Sequence, residues 1–410
     1  MRVDPADSLS EILPAEAFGH SVPASLSAAL RTDVESVVAP GSPEEVAALL
    51  RWASKTAVGV VPVGTGAHTY PRYPSDPFVV LTTSRLTEIG HYEPADLTLT
   101  ASAGARVGDL STAMAVHGQW LPFDPPDVPN RTLGGLVAAG LSGPLWAGYG
   151  QLRNHVLGAT VVCGDGRVLK LGGRVVKNVA GFDILKPMVG SRGDLAVITS
   201  LTVRLFPLPA VDRLLIVEAS DISELVSTAR AIATAPVMPA SIVLSSTSVG
   251  GRLLVRLHGV SDSVGADQRR LEEHTSVSFD IRNVYELGDL LEGERDRDIT
   301  GEFAVRLWAL PSRIDELLVA VGQIPGVNLT ADVYGGSVRV YLPDNLSDIK
   351  SVLMRLREDV ENLGGTIRAL RVPAEVDAFS YFTKPLVDER ELATGLKQVF
   401  DPHGVLWRVE

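Results

Sequence analysis

The chain is expected to fold as an α+β protein, and three observations carry that expectation. From Val37 to Ser102, short apolar strands surround a single amphipathic helix. Between Thr132 and Pro207, apolar strands are separated by glycines at nearly every point where the backbone must turn. Beyond Pro209 glycine thins out, and two successive strand–helix–strand–strand–helix units follow, the pattern of a duplicated ferredoxin-like layer.

The elements read in order as follows. The residues up to about Ser25 carry no clear pattern and are expected to lie along the surface. After the strand at Val37, Ser42 is placed to cap a helix and Pro43 to open it, with Val46, Leu49, Leu50 and Ala53 on one face. The strand Val58–Val63 ends at the loop Gly64-Thr65-Gly66-Ala67-His68-Thr69. Strands at Phe78–Leu81 and Leu97–Ser102 precede a helix from Val107 to His117. Asp165-Gly166 marks a tight hairpin. In the second half, strands are expected at Arg213–Ala219, Ser241–Ser246 and Arg252–His258, with helices near 222–234 and 263–275. Phe303–Leu310, Asn328–Val333, Ser337–Leu342 and Thr366–Arg371 are the later strands, with helices over Arg313–Val321 and Leu346–Leu363. The expected division is an N-terminal extension (1–30), a first domain (31–210), an α+β cap (211–372) and a C-terminal segment (373–410) that returns to the first domain.

Composition narrows the function. A length of 410 residues with 45% hydrophobic content supports more than one core. The net charge of -12, with Lys and Arg scattered, argues against a nucleic-acid footprint. The single cysteine, Cys163, allows no internal disulfide and no iron–sulfur cluster, and it reads as a small buried hydrophobe. The N-terminus lacks signal-peptide order, and no run of about 18 apolar residues exists. The expectation is a cytoplasmic protein, peripheral to a membrane only through partner subunits. His258 and His274 are isolated in sequence, so no metal site is expected.

The loop Gly64–His68 carries the first chemical hint. Successive backbone N–H groups in a glycine turn converge on an anion such as a pyrophosphate. A dinucleotide fingerprint of the Rossmann kind fails, because the third glycine is absent and the loop enters TYPRYPSDP, which cannot start a helix.

This loop, followed by the glycine-rich block from Thr132 to Pro207, resembles the FAD-binding domain of the p-cresol methylhydroxylase / vanillyl-alcohol oxidase flavoproteins, written PCMH-type. The resemblance is greatest to the smaller FAD-binding subunit of bacterial glycolate oxidases. It implies a two-subdomain FAD-binding domain beneath a ferredoxin-like α+β substrate cap, with FAD as cofactor. Cofactor contacts are implied at Gly64, Thr65, Gly66, Ala67, His68 and Thr69, and at Thr132, Leu133, Gly134 and Gly135, where a helix start presents free N–H groups. Ser142 and Gly143 match a small pair under the cofactor. Asp194 and Ile198 fall in the segment whose backbone reads the adenine side, with Asp194 and Ala196 where the family has threonine and glycine. His68 occupies the place of the histidine that some relatives bond to the flavin, and a noncovalent role is the expected one here.

The family's chemistry is hydride transfer from a hydroxyl-bearing carbon to flavin, and a 2-hydroxy acid such as glycolate is the substrate that the resemblance implies. Its carboxylate calls for a cation, best the fork of an arginine. Arg306, Arg339, Arg368 and Arg371 on cap strands are the candidates, beside Trp308, with strand arginines facing water as the plain alternative. Lys177, near Asn178, is a candidate for a place beside the flavin or for a structural pair with Asp183. The implied partners are a larger flavin subunit and an iron–sulfur subunit. Two other readings stay open: a self-sufficient FAD oxidase or dehydrogenase of another alcohol or sugar, and a non-catalytic FAD-binding structural subunit.

Overall fold

The structure, a computed structural model, describes residues 9–21, 36–66, 78–125, 127–174, 183–247, 250–283, 303–343, 346, 348–371 and 387–407. It is α+β. A small parallel sheet in the order β1-β3-β2 is built from β1 (Ser36–Val38), β2 (Gly59–Val63) and β3 (Phe78–Thr82). Helix α1 (Pro43–Thr56) packs on it. The expected cap forms: Ser42 Oγ accepts from the Glu45 amide at 3.1 Å, and the Glu45 carboxylate accepts from the Gly41 amide at 2.8 Å.

The second sheet is antiparallel, in the order β4-β5-β9-β7-β8. It comprises β4 (Ile89–Glu93), β5 (Thr98–Ser102), β7 (Val156–Cys163), β8 (Val168–Gly172) and β9 (Ala196–Arg204). Its core takes in α2 (Val107–Ala115) and the seven-residue α3 (Leu133–Ala139). Cys163 is fully buried on β7, and burial pushes its thiol up, as a small hydrophobe requires. β6 (Gln119–Trp120) pairs with β10 (Phe206–Pro207), and α4 (Trp146–Tyr149) lies between.

An eight-stranded antiparallel sheet makes up the rest, in the order β14-β11-β13-β12-β16-β17-β15-β18. Its first half is β11 (Val211–Ala219), α5 (Ile222–Thr234), β12 (Ser241–Thr247), β13 (Gly250–Gly259), α6 (Ser261–Thr275) and β14 (Asp280–Asn283). The second is β15 (Phe303–Trp308), α7 (Ile314–Gly322), β16 (Asn328–Asp332), β17 (Ser337–Leu342), α8 (Ile349–Asn362) and β18 (Thr366–Arg371). Each half is a βαββαβ unit with its fourth strand beside its first. The two halves join back to back where β12 pairs with β16. The expected duplication is therefore present, with one more strand per half than the bare repeat of five elements, β14 being the one not read from the sequence. One face of this sheet and the four helices share a core.

One expectation changes. The segment at Leu9–Ala17 does not lie along the surface: Leu9, Leu13 and Ala17, spaced four apart, are buried in the core of the parallel sheet. The C-terminal helix α9 (Val387–Phe400) is followed by a turn in which buried Asp401 accepts from the amides of Val405 (3.0 Å) and Leu406 (2.8 Å). Leu406 then pairs in parallel with Val60 on the edge strand β2.

Candidate functional site

Two glycine blocks meet at the end of β2. A Cβ added to Gly64 would lie 2.2 Å from Thr132 Oγ1, so only glycine lets this loop close on the start of α3. Among the described residues, the amides of Gly64 and Thr65 donate to no protein group. This leaves a backbone-lined cradle of the kind that an anionic group takes. Thr132, almost fully buried, caps α3 by accepting from the Gly135 amide at 3.2 Å.

One expectation is corrected here. The start of α3 does not present free N–H groups, because Leu133 donates to the Ala105 carbonyl (2.9 Å) and Gly134 to the Ala103 carbonyl (2.7 Å). These bonds pin the short helix to the loop after β5, so a bound anion would meet the loop amides of Gly64 and Thr65 instead.

From the far end of α3 the chain runs through Ser142 and Gly143 into a cavity of about 630 Å³. Ser142 Oγ accepts from the Leu152 amide at 2.9 Å, which ties the loop to the segment that forms the cavity's flank. The opposite wall is the outward face of β16-β17-β15-β18.

On that wall the register aligns the predicted arginines. Arg339 on β17 and Arg368 on β18 both stand directly opposite Arg306 on the strand between them, and Thr330 on β16 faces Arg339. Arg306, Arg339, Arg368 and Trp308 all line the cavity. Alternate residues of the same strands (Val305, Leu307, Val338, Val340, Ile367) fill the core, which sets these three arginines on the outward face, with Arg306 and Arg339 half-buried and Arg368 exposed. Arg306 Nε donates to Ser337 Oγ at 2.8 Å, which fixes the central guanidinium along the sheet. Arg371, at a register shift on β18, does not share the row.

Asp332 was missed by sequence reading. It lines the same cavity, accepts a hydrogen bond from Trp146 Nε1 of α4 and another from the Gly335 amide at 3.1 Å. Burial pushes its carboxyl above the ordinary carboxylate range, against those bonds and the charges of Arg306 and Arg339. The Trp146 bond clips the glycine-rich part to the eight-stranded sheet beside the arginine row.

A second clip lies behind it. Asp212 on β11 stands opposite His258 on β13, with His258 Nε2 at 2.9 Å from its Oδ1. Arg256 holds the same carboxylate through Nη2 at 2.5 Å and Nε at 3.3 Å, and reaches toward Asp124 at 3.6 Å. The Tyr149 hydroxyl closes the loop on His258 Nδ1 at 2.8 Å and is pushed up to about 12 by burial and then by the Asp212 charge. His258, isolated in sequence, is thus the centre of a buried Tyr149–His258–Asp212–Arg256 network. Trp120 packs edge-on against Tyr149 and tilted on His258.

Asp194 and Ile198 stand apart from the cavity. Asp194 binds Lys397 of α9 through Oδ1 (2.9 Å) and its carbonyl (2.7 Å), and the same ammonium reaches Asp401 at 2.8 Å. Ile198 is buried on β9 in the core of the antiparallel sheet. Ala67, His68, Thr69 and Lys177 lie outside the described residues.

A family model described as FAD binding domain matches residues 34–172, the span that includes the parallel sheet, the glycine cradle and α3. This chain carries an FAD binding domain. The cradle at Gly64 and Thr65 fits that assignment, because it offers loop amides that donate to no protein group among the described residues. The FAD-binding chain is 34% identical over 207 residues to a D-lactate dehydrogenase of Archaeoglobus fulgidus, covering 49% of this chain and 46% of that protein. It is 27% identical over 411 residues to the glycolate oxidase subunit GlcD of Bacillus subtilis, covering 91% and 87% of the two. Over 122 residues it is 41% identical to the glycolate oxidase subunit GlcE of Escherichia coli, covering 30% and 35%. Except for the longer match to GlcD, the FAD-binding chain spans about half or less of these relatives. Its fold is that of p-cresol methylhydroxylase, with a TM-score of 0.76 at 15% identity over 98% of this chain and 94% of that one. Among the described residues no helix is long and apolar enough to cross a membrane.

Proposed function

We propose that the chain is an FAD-dependent oxidoreductase subunit that oxidises the hydroxyl-bearing carbon of a 2-hydroxy acid, glycolate being the reference member of that class. The observation that carries the reading is the row Arg339–Arg306–Arg368, which lines a cavity whose other wall is the Ser142–Trp146 loop of the flavin-binding part. The printed names of the relatives, a D-lactate dehydrogenase and two glycolate oxidase subunits, support the same substrate class.

Gly64, Thr65 and Gly66 would hold the cofactor's phosphates, and Thr132–Gly135, Ser142 and Gly143 would support the rest of it. Asp194 and Ile198 would serve it through backbone and core packing, and Ala67, His68 and Thr69 by completing the first loop. When bound, FAD supplies the acceptor for the hydride. The chain's own residues bind and orient. A guanidinium of the row grips the substrate carboxylate in a bidentate pair, which fixes the carbinol carbon in one place. Trp146 and Trp308 contribute apolar surface to the cavity and exclude water from it. Lys177 and Arg371 are the remaining candidates for charge near the site.

The domain division at 31–210, 211–372 and 373–410 is part of this proposal, the cavity lying between the first two. With one cysteine the chain holds no iron–sulfur relay of its own, which favours onward transfer of electrons to a larger flavin subunit and an iron–sulfur subunit, at a membrane or in the cytoplasm.

The test is anaerobic mixing of the FAD-loaded chain with 2-hydroxy acids and with matched alcohols lacking the carboxylate. Bleaching of the visible flavin absorbance by the acids alone is expected. Arg306→Gln should then need roughly 10- to 100-fold more acid for the same rate, the scale of a lost charge-assisted hydrogen bond. Flavin that stays oxidised with every acid, or bleaches equally with the matched alcohols, would refute the reading.

A further inference from the structure

We infer that Asp332 is a catalytic residue: its carboxylate takes the hydroxyl proton of the 2-hydroxy acid as hydride leaves the adjoining carbon. This rests on the hydroxy-acid reading above and supplies the base which that reading lacks. Taking a hydride from a carbinol carbon leaves a protonated carbonyl unless the hydroxyl proton passes to a base within hydrogen-bond reach. Among the described residues lining the cavity there is no histidine, and Asp332 is the acidic side chain. Tyr334 also lines it, but burial pushes its hydroxyl up, away from a base's range near neutral pH.

Register places this carboxylate beside the arginine row. Asp332 on β16 stands opposite Ser337 on β17, and Thr330 stands opposite Arg339, so Asp332 and Arg339 are diagonal neighbours on the cavity face. Diagonal positions lie about 7–8 Å apart. That span takes a carboxylate, the carbinol next to it and a hydrogen bond of roughly 2.7 Å at each end. A 2-hydroxy acid gripped at Arg339 therefore turns its hydroxyl toward Asp332.

The carboxylate is also held in one orientation. Its oxygens accept separately, Oδ2 from Trp146 Nε1 and Oδ1 from the Gly335 amide at 3.1 Å, which fixes its plane and leaves each oxygen a second lone pair. A Cβ at Gly335 would lie 2.5 Å from Oδ2 and 3.0 Å from Trp146 Cζ2, so a side chain there would push the carboxylate out of place. The Trp146 bond sets it against the loop that follows Ser142 and Gly143, on the flavin side of the cavity. The charges of Arg306 and Arg339 on neighbouring strands pull its carboxyl down, and Arg153, Lys186 and Arg192 line the flavin-side wall. Burial outweighs the two neighbouring charges and strengthens its hold on a proton, as a general base requires.

In the step, the O–H bond breaks and its proton passes to Asp332. The C–H bond breaks and its electron pair leaves with the hydrogen as hydride, for which FAD supplies the acceptor. The carbinol becomes the carbonyl of a 2-oxo acid, and the proton on Asp332 then returns to water.

The experiment uses the full FAD-loaded chain, with glycolate and both enantiomers of lactate as anaerobic reductants. Binding is read separately with 2-hydroxy-2-methylpropanoate, which has no hydrogen on its carbinol carbon, from perturbation of the flavin's visible spectrum. Asp332→Asn is expected to slow bleaching at saturating acid by about 100-fold or more, the scale of a lost general base. Its affinity for the non-reacting acid should stay within about 3-fold of wild type, because the loss falls on the transition state. The wild-type rate should fall as pH drops through the folded value of Asp332, above the ordinary carboxylate range, and this acid limb should vanish in Asp332→Asn. Trp146→Phe removes the clip but keeps the carboxylate, so it should keep the limb and lose less than about 10-fold in rate. If Asp332→Asn does not hold flavin, the wild-type limb and its survival in Trp146→Phe decide. Bleaching of Asp332→Asn within about 10-fold of wild type, equal losses in Asp332→Asn and Trp146→Phe, or a wild-type rate without an acid limb overturns the inference and leaves the hydroxy-acid reading standing. Wild-type flavin that stays oxidised with every acid overturns both.

Discussion

Asp212→Ala is expected to destabilise the chain by about 3–5 kcal/mol, the cost of stripping a buried ion pair of one partner. The aspartate is held at once by Arg256 and His258, and the side chain of Arg256 is only 12% exposed. Without it the guanidinium keeps only Asp124 at 3.6 Å, and His258 keeps only Tyr149. Urea unfolding followed by tryptophan fluorescence is the measurement, since Trp120 packs on both Tyr149 and His258 and reports the site directly. A loss below about 1 kcal/mol, the value of an exposed pair, would show that the network contributes nothing beyond surface charge.

The same residue sets an acid limit. Burial pushes the Asp212 carboxyl up, but the hydrogen bonds from His258 and Arg256 outweigh it and hold it below the ordinary range. A group with a lowered folded pKa contributes stability that is present above its unfolded pKa, about 3.9, and is lost as pH falls through the folded value. Wild type and Asp212→Ala should therefore differ fully at neutral pH and converge in strong acid.

Gly143→Ala is the second large effect, and it should remove the flavin as well as stability. Gly143 has φ +74°, a region that costs an alanine about 1 kcal/mol or more. The added Cβ would also lie 2.3 Å from Asp124 Oδ1 and 2.4 Å from the Asp124 carbonyl carbon. Since backbone cannot yield as a side-chain tip can, the loop must shift, and with it the Asp124 carboxylate that accepts from the Leu145 amide at 2.9 Å. A total of roughly 3 kcal/mol is expected from strain and overpacking together. Gly173→Ala is the control: its Cβ would meet nothing within 4 Å, so it should stay within about 0.5 kcal/mol and remain yellow. A yellow, equally stable Gly143→Ala would contradict the crowding seen at this turn.

Much of the frame was legible because it is local. Ser42 and Pro43 announce α1, Asp165-Gly166 turns the hairpin with Gly166 at φ +81°, and alternation on β15 and β17 puts Arg306 and Arg339 on the face away from the core. The duplicated cap followed from element order alone. What escaped was either too short or too distant. β6 and β10 are two residues long, and every residue of β14 is exposed, so neither leaves an apolar period to read. Leu9, Leu13 and Ala17 did carry a helical spacing, and their burial shows that the signal was present.

The site itself depends on register, which no single strand reveals. That Arg306, Arg339 and Arg368 would align could not be inferred from three separate arginines, because a slip of one residue would send any of them into the core. Asp332 and His258 were unreadable for a related reason. Their partners, Trp146 and Tyr149, are 186 and 109 residues away in sequence.

The pairing of Leu406 with Val60 bears on when the protein becomes competent to load its cofactor. The Val60 amide donates to the Val405 carbonyl at 2.8 Å, and the Trp407 amide returns the bond to the Val60 carbonyl at 3.1 Å, so Leu406 is held beside β2 by an isolated parallel bridge. The flavin cradle begins four residues after Val60, at Gly64. A ribosome delivers residue 60 long before residue 406, so the edge that steadies the cradle stays open throughout synthesis of the chain between them. Flavin capture is therefore expected to be a post-translational event that follows closure of the two ends of the chain.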